Sequence, residues 1–216
     1  MYLGAERTII EPFFQTKTGE SYQGVHKSDV KIYGTGKVIK VINRFHSYEN
    51  AIVKDIFLKN QETWKIEENT YQVTSVNGTE FTLTEEELMG NQLWIETKEG
   101  DSTIVFHLSH LDDVLVNVGD IVKETTLLGH QGNTGIVDSS CDITDFSYGS
   151  ILLFEVEQDG KKLNPRGYAE GTIKTNYPML EEKNVIPILL FEAQKEDYYY
   201  LYLKAGEKIY LEKTMP

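Results

Sequence analysis

Alternation with period two runs through most of this chain, and it is broken at short intervals by glycine. Val30–Tyr33 and Lys37–Ile42 alternate on either side of Gly34-Thr35-Gly36, the pattern of two strands joined by a tight hairpin. Leu93–Thr97 and Thr103–Leu108 flank a polar turn at Lys98–Asp101, and Val114–Val116 and Ile121-Val122 flank Gly119. Ile151–Glu157 is nearly continuous in apolar residues, which predicts a buried strand, and Asp159-Gly160 turns the chain behind it.

Between these runs the texture changes. Ala51–Leu58 reads as a strand. Tyr71–Val76 and Thr79–Leu83 enclose Asn77-Gly78, whose preference for left-handed backbone makes it the strongest hairpin signal in the chain. Thr84–Gly90 reads as one or two helical turns, with Thr84 as N-cap, Glu87 completing a capping box and Gly90 as the stop; the acidic run Glu85–Glu87 is its solvated start. Ile186–Ala193, Tyr198–Leu203 and Lys208–Leu211 predict three final strands. Alternate tyrosines of Tyr198–Tyr202 suit either an interface or an ordinary edge strand. ILLFEA at Ile188–Ala193 echoes ILLFEV at Ile151–Val156, a convergence of strand composition. At the N-terminus Pro12 bars a helix from the Ile9–Phe14 cluster, leaving an extended arm packed on the sheet. Long amphipathic helix patterns are scarce, so the fold class is mainly β. We expect an arm at 1–20, a main domain at 21–175 with a β-rich insertion at about 44–90, and a C-terminal β extension at 176–216.

Composition narrows the function. With 216 residues and 40% hydrophobic positions the chain can bury a real core. A formal charge of −13 excludes nucleic acid as a natural partner, because phosphate neutralisation needs a basic surface. The first residues lack a basic start and a long apolar core, and no apolar run approaches the ~20 residues of a membrane span. The expectation is a cytoplasmic protein, or one exported as part of a larger assembly. Cys141 is the one cysteine, so no internal disulfide forms, and it reads as an inert thiol.

Seven stretches in order carry a family resemblance: YQGVH, GTGKV, VFHLS, VNVGDIV, GHQGNTG, ILLFEV and LNP. Over residues 20–45 and 91–168 the chain resembles the lysostaphin-type (LytM, Gly-Gly endopeptidase) zinc metallopeptidases that cut peptidoglycan cross-bridges. That family runs from His-x-Gly-x-Asp through a hairpin ending Gly-x-Val, a Tyr-x-His-Leu strand and Gly-x-x-Gly-x-Thr-Gly to His-Leu-His-Phe-Glu-Val. The resemblance implies a lysostaphin-like antiparallel β-sheet core, described for the family as a duplicated hybrid motif.

It also implies a lost site. A catalytic zinc needs three deprotonatable ligands and an open position for water. Where the family has its first two ligands this chain has Tyr22 and His26, and the third position is Leu153. Ile151 replaces the assisting histidine, and only His107 remains in place. An isobutyl side chain has no lone pair, so no cofactor or metal is expected and no catalytic residue is assigned. Taking His26-Lys27-Ser28-Asp29 as the first motif gives the wrong spacing and discards Gly24. A rebuilt metal site from His26, His107, His110 or His130 is the weaker alternative, since simple alternation puts His107 and His110 on opposite faces. Cys141, Asp142 and Asp145 lie in a polar stretch that could fold over the cleft. Tyr22 and His26 are expected to fill that cleft, and His107 to be a hydrogen-bonded strand residue.

The reading is a pseudoenzyme: a LytM-like module that binds a protein partner or has a structural part in a cell-wall-related or phage-tail-like assembly. The alternatives are a non-hydrolytic peptidoglycan-binding module and a zinc endopeptidase with a rebuilt site. Inactive relatives that regulate cell-wall amidases motivate the first.

Overall fold

The computed structural model describes residues 2–4, 7–11, 19–124, 126–137, 150–170, 173–175, 186–192 and 198–203. Among them one strand, Ser102–Val114, is the spine. Asn91–Glu99 pairs antiparallel along one edge of it; Ile151–Gln158 and Leu127–Gln131 share the other. The alternation of Ile104, Phe106 and Leu108 turns those side chains to one face, and all three are buried.

The sheet extends in both directions from the spine. Leu127–Gln131 is followed by Asp29–Tyr33, Tyr2–Gly4 and Ala169–Glu170, and Ile151–Gln158 by Glu20–Gln23, Arg7–Glu11 and Ile173–Thr175. Gly36–Ile42 lies beyond Asn91–Glu99 and carries Ile121–Val122. The arm thus contributes two strands, Tyr2–Gly4 and Arg7–Glu11, while Pro12, Phe13 and Phe14 lie outside the described residues. Against one face of the sheet packs the main core, with Tyr22, Val30, Ile32, Val38, Leu93, Ile95, Leu152, Phe154 and Val156 joining the spine residues. Phe106 stacks on Phe154, with ring centroids 5.8 Å apart, and meets Tyr168 edge-on at 5.6 Å.

Residues 44–90 carry a second, smaller core. Phe45, Ile52, Phe57, Tyr71, Val73 and Leu83 are buried together. The Asn77-Gly78 hairpin forms as expected: Thr70–Thr74 pairs antiparallel with Glu80–Thr84, and Gly78 has φ 85°. The turn Glu85–Met89 is 3-10 helical, with Thr84 N bonded to Glu87 Oε2 at 2.9 Å. Its acidic run is not merely solvated. Glu86 pairs with Lys40, and Glu87 takes both nitrogens of the Arg44 fork at 2.6 and 2.7 Å.

Ala51–Leu58 is not one strand. Ala51–Val53 pairs parallel with Gly135–Val137, and helix Lys54–Trp64 begins at once. The apolar run was short enough to fit either period. Its helical face is narrow: Phe57 is buried against Tyr71 and Trp64, whereas Ile56 and Leu58 are 44% and 57% exposed.

Near the C-terminus Ile186–Glu192 and Tyr198–Leu203 form an antiparallel pair. The predicted third strand, Lys208–Leu211, lies outside the described residues, as do the side chains of Tyr198–Tyr202. No helix among the described residues is long and apolar enough to cross a membrane.

Candidate functional site

The face of the sheet opposite the main core carries the positions at issue. Register sets which residues share it. His107 pairs with Glu155, Ser109 with Leu153, and Leu153 in turn with Ser21. Residues opposed in this way project to one side, so His107, Ser109, Leu153 and Glu155 form one row. Ile151, two residues from Leu153, lies on the same side.

Tyr22 does not join them. It pairs with Leu152, a core residue, and is itself fully buried in the main core. The expectation that Tyr22 fills the cleft is therefore corrected: strand alternation sends its ring through the sheet to the other side. His26 lies in the following turn, 10% exposed, with Nε2 4.0 Å from Asp112 Oδ1 and Nδ1 buried without a hydrogen-bond partner. Burial lowers its pKa against the pull of Asp112.

Ile151 is packed rather than open. With Ala51 and Val137 it makes a small buried cluster, flanked by Tyr48, Val53 and Val76. The parallel pair Ala51–Val53 and Gly135–Val137 thus covers the strand end where the family resemblance has its assisting histidine.

His107 is held on this face by contacts on both ring nitrogens and on its ring plane. Its ring stacks on Trp94, centroids 4.1 Å apart, and Lys40 Nζ sits 4.7 Å from the Trp94 ring centroid. Nδ1–H donates to Glu155 Oε2 at 2.5 Å. Nε2 lies 2.9 Å from both Ser109 Oγ and Gln92 Oε1. The Gln92 amide nitrogen donates to Glu86 O and Gly90 O, so its oxygen is the atom turned to the ring. In the neutral ring Nε2 accepts from the Ser109 hydroxyl; Gln92 Oε1 is satisfied only by the imidazolium. Burial pushes the His107 pKa down and the Glu155 carboxylate pulls it up, with a net lowering. Burial pushes Glu155 up, but the hydrogen bond and charge of His107, with Lys162 3.4 Å away, leave it below its usual range.

Ser109, His107 and Glu155 follow the connectivity of a hydrolase triad. Ser109 is nevertheless 0% exposed, so no substrate carbonyl reaches its hydroxyl.

His110 lies on the same side as His107, which corrects the expectation of opposite faces. Leu93 pairs with Leu108 and Asn91 with Leu111, so Ser109 and His110 together oppose the single residue Gln92. This β-bulge breaks the alternation and puts both side chains on the side of Gln92. His110 has φ 65°, an uncommon backbone for a side chain of that size. Its Nδ1–H donates to Thr134 O at 2.8 Å, and burial lowers its pKa to about 4.

His130 is elsewhere, its Nδ1 2.8 and 3.0 Å from the Asp113 carboxylate oxygens and its Nε2 3.8 Å from Asp29. Among the described residues no group of three or more His, Cys, Asp or Glu side chains is gathered in a way that could hold a metal ion. Cys141, Asp142 and Asp145 lie outside the described residues.

Sequence reasoning passed over Glu155, Gln92, Trp94 and Asn91. Glu155 had a signal, since it is the lone charge inside the apolar run Ile151–Val156. The others gain their meaning only from pairing.

The molecule is thus a mainly β, antiparallel sheet with a histidine–carboxylate pair on its covered face. Residues 63–165, a little under half of the chain, match the model of Peptidase family M23. The matched residues include His107, Ile151 and Leu153 but neither Tyr22 nor His26. Among solved structures, the catalytic domain of lysostaphin from Staphylococcus simulans is similar over 69% of this chain and 76% of its own, at 18% identity and TM-score 0.38. The prophage-encoded M23 protein EnpA from Enterococcus faecalis is similar over 68% and 75%, at 16% identity and TM-score 0.38. The SpoIIIAH and SpoIIQ complex gives 69% and 69%, at 16% identity and TM-score 0.34. No curated protein matches the chain.

Proposed function

We propose that this chain is a catalytically inactive M23 relative that serves as a protein-binding or structural module. The observation that carries the reading is the chemistry of one row: Leu153, with no donor atom, stands beside Ser109 where the resemblance requires a zinc ligand, and Ile151 is buried between Ala51 and Val137. Tyr22 faces the main core, so His26 would be the one remaining donor of the three. That donor set does not fit a three-ligand zinc site with an open water position, and no hydrolytic step is derived through one.

The additions to the core are the regions we assign to partner specificity, namely residues 44–90 and 176–216. A carbohydrate-binding reading has less support. Trp94, the aromatic on this face, is stacked by His107 and approached by Lys40, which leaves it little free ring surface for a sugar.

Metal analysis of the purified protein, with an assay on glycine-rich cross-bridge peptides, tests the proposal. The expected result is substoichiometric zinc and no cleavage. One zinc per chain together with cleavage that His107→Ala abolishes would overturn it. Retention on isolated cell walls at moderate salt would favour the peptidoglycan-binding alternative.

A further inference from the structure

Both ends of residues 44–90 are tied to the main sheet at one buried hub. Asn91 Oδ1 accepts from Arg44 N and Phe45 N at 3.0 and 2.9 Å. Asn91 Nδ2 donates to Phe45 O, Leu111 O and Asp112 O at 2.9, 3.2 and 2.9 Å. Asn91 N donates to Thr134 Oγ1, whose hydroxyl donates to Leu111 O. The segments meet at backbone contact: a Cβ on Gly90 would stand 2.4 Å from the Thr134 carbonyl oxygen, and one on Gly135 2.3 Å from Gly90 N. His110 closes the hub through its bond to Thr134 O, and it is the titratable side chain bonded into it.

We propose that His110 is an acid-operated latch: a second proton on its ring loosens the hub and frees residues 44–90 from the main sheet while the sheet itself stays folded. The neutral ring makes one hydrogen bond at a bulge held in left-handed backbone. An imidazolium there would be a buried charge whose bonded neighbour is a carbonyl rather than a carboxylate.

The surrounding charges do not compensate it. On its own strand His107 opposes the charge, Asp112 faces His26 and Lys27, and Asp113 holds His130. From the neighbouring strand Glu155 attracts it but is already bonded to His107 and close to Lys162. From the 3-10 turn Glu87 is held by Arg44. Burial accordingly depresses the ring pKa to about 4 from the ordinary 6.5. The main sheet is held independently by its large apolar cluster. Residues 44–90 meet the rest of the chain through the hub, the pairing of Ala51–Val53 with Gly135–Val137, the small Ala51–Val137–Ile151 cluster, and contacts such as Lys40–Glu86 and Tyr48 N to Asn133 Oδ1.

The test is amide hydrogen exchange of the full chain between pH 7 and 4.5, corrected for the intrinsic pH dependence of exchange. For a proton-linked opening with those two pKa values, the opening constant of residues 45–90 should rise roughly fifty-fold. Amides of Ile104–Leu108 and Leu152–Val156 should keep their protection. In His110→Asn, where asparagine tolerates the left-handed backbone and still donates to Thr134 O, the rise should vanish. Simultaneous loss of protection in both regions would overturn the latch. So would an unchanged response in His110→Asn, or a response removed by His26→Gln instead. If His110→Asn fails to fold, NMR titration of the wild-type His110 ring decides. A midpoint near 4 that coincides with the exchange onset supports the latch, and one near 6.5 overturns it.

Discussion

His107 and His110 lie three residues apart on one strand, on the same side of it, and the groups bonded to their Nδ1 atoms differ in charge. His107 has a carboxylate, Glu155, against its ring nitrogen; His110 has a carbonyl, Thr134 O. Both rings are driven toward the neutral form by burial, but only the first has a local counter-charge to offset that drive. The histidine that the family resemblance singled out is thereby absorbed into a hydrogen-bonded pair. Its neighbour, bonded to a carbonyl, has its pKa lowered by burial to about 4. The lesson is that the residue type matters less than what is opposed to it across the sheet.

Four measurements sharpen or break this comparison. The largest effect should come from Asn91→Ala, which strips the partners from several buried backbone groups around His110. Urea unfolding should show a loss of about 3–5 kcal/mol, since each orphaned group costs ~1–3 kcal/mol. A loss below ~1 kcal/mol would mean that the hub is not what holds residues 44–90.

Next is the pH dependence of His110. Its folded pKa is depressed, so the unfolded chain binds the proton more tightly. Stability is therefore fully present above pH 6.5 and is lost as pH falls toward 4. A shift of that size corresponds to about 3 kcal/mol of global stability. Denaturant titrations at pH 7 and 4 should differ by that amount more in the wild type than in His110→Asn.

Glu155→Gln should be milder, ~1–2 kcal/mol, because the amide keeps a hydrogen bond to His107 while the charge is lost. The His107 ring pKa, followed by NMR, should fall further once its counter-charge is gone; a rise would refute the pairing. Smallest is Thr84→Ala, where loss of the cap contact to Glu87 should cost about 0.5–1 kcal/mol by thermal unfolding and leave both histidines unmoved.

Much of this was legible along the chain. The Asn77-Gly78 hairpin, the Thr84–Glu87 capping box and the strands around Lys98–Asp101 follow from local preferences that neighbouring strands merely complete. The family resemblance was legible too, because glycine turns and strand ends recur at fixed spacing. Helix Lys54–Trp64 was not, since its apolar start satisfies both periods and only the burial of Phe57 against Tyr71 selects one. Nor was the destination of Tyr22, which one residue of register moves from the site face to the core.

What the amino-acid order determined by itself was the class of fold, the resemblance to M23 peptidases and the chemical identity of Ile151 and Leu153. All three depend on residue type and short spacing. Tertiary structure alone decided that Glu155 meets His107, that a bulge turns His110 to the same side, and that Asn91 joins both ends of residues 44–90. Those contacts join positions 15 to 48 residues apart along the chain, as between Gln92, His107 and Glu155, and no local rule encodes the register that brings them together.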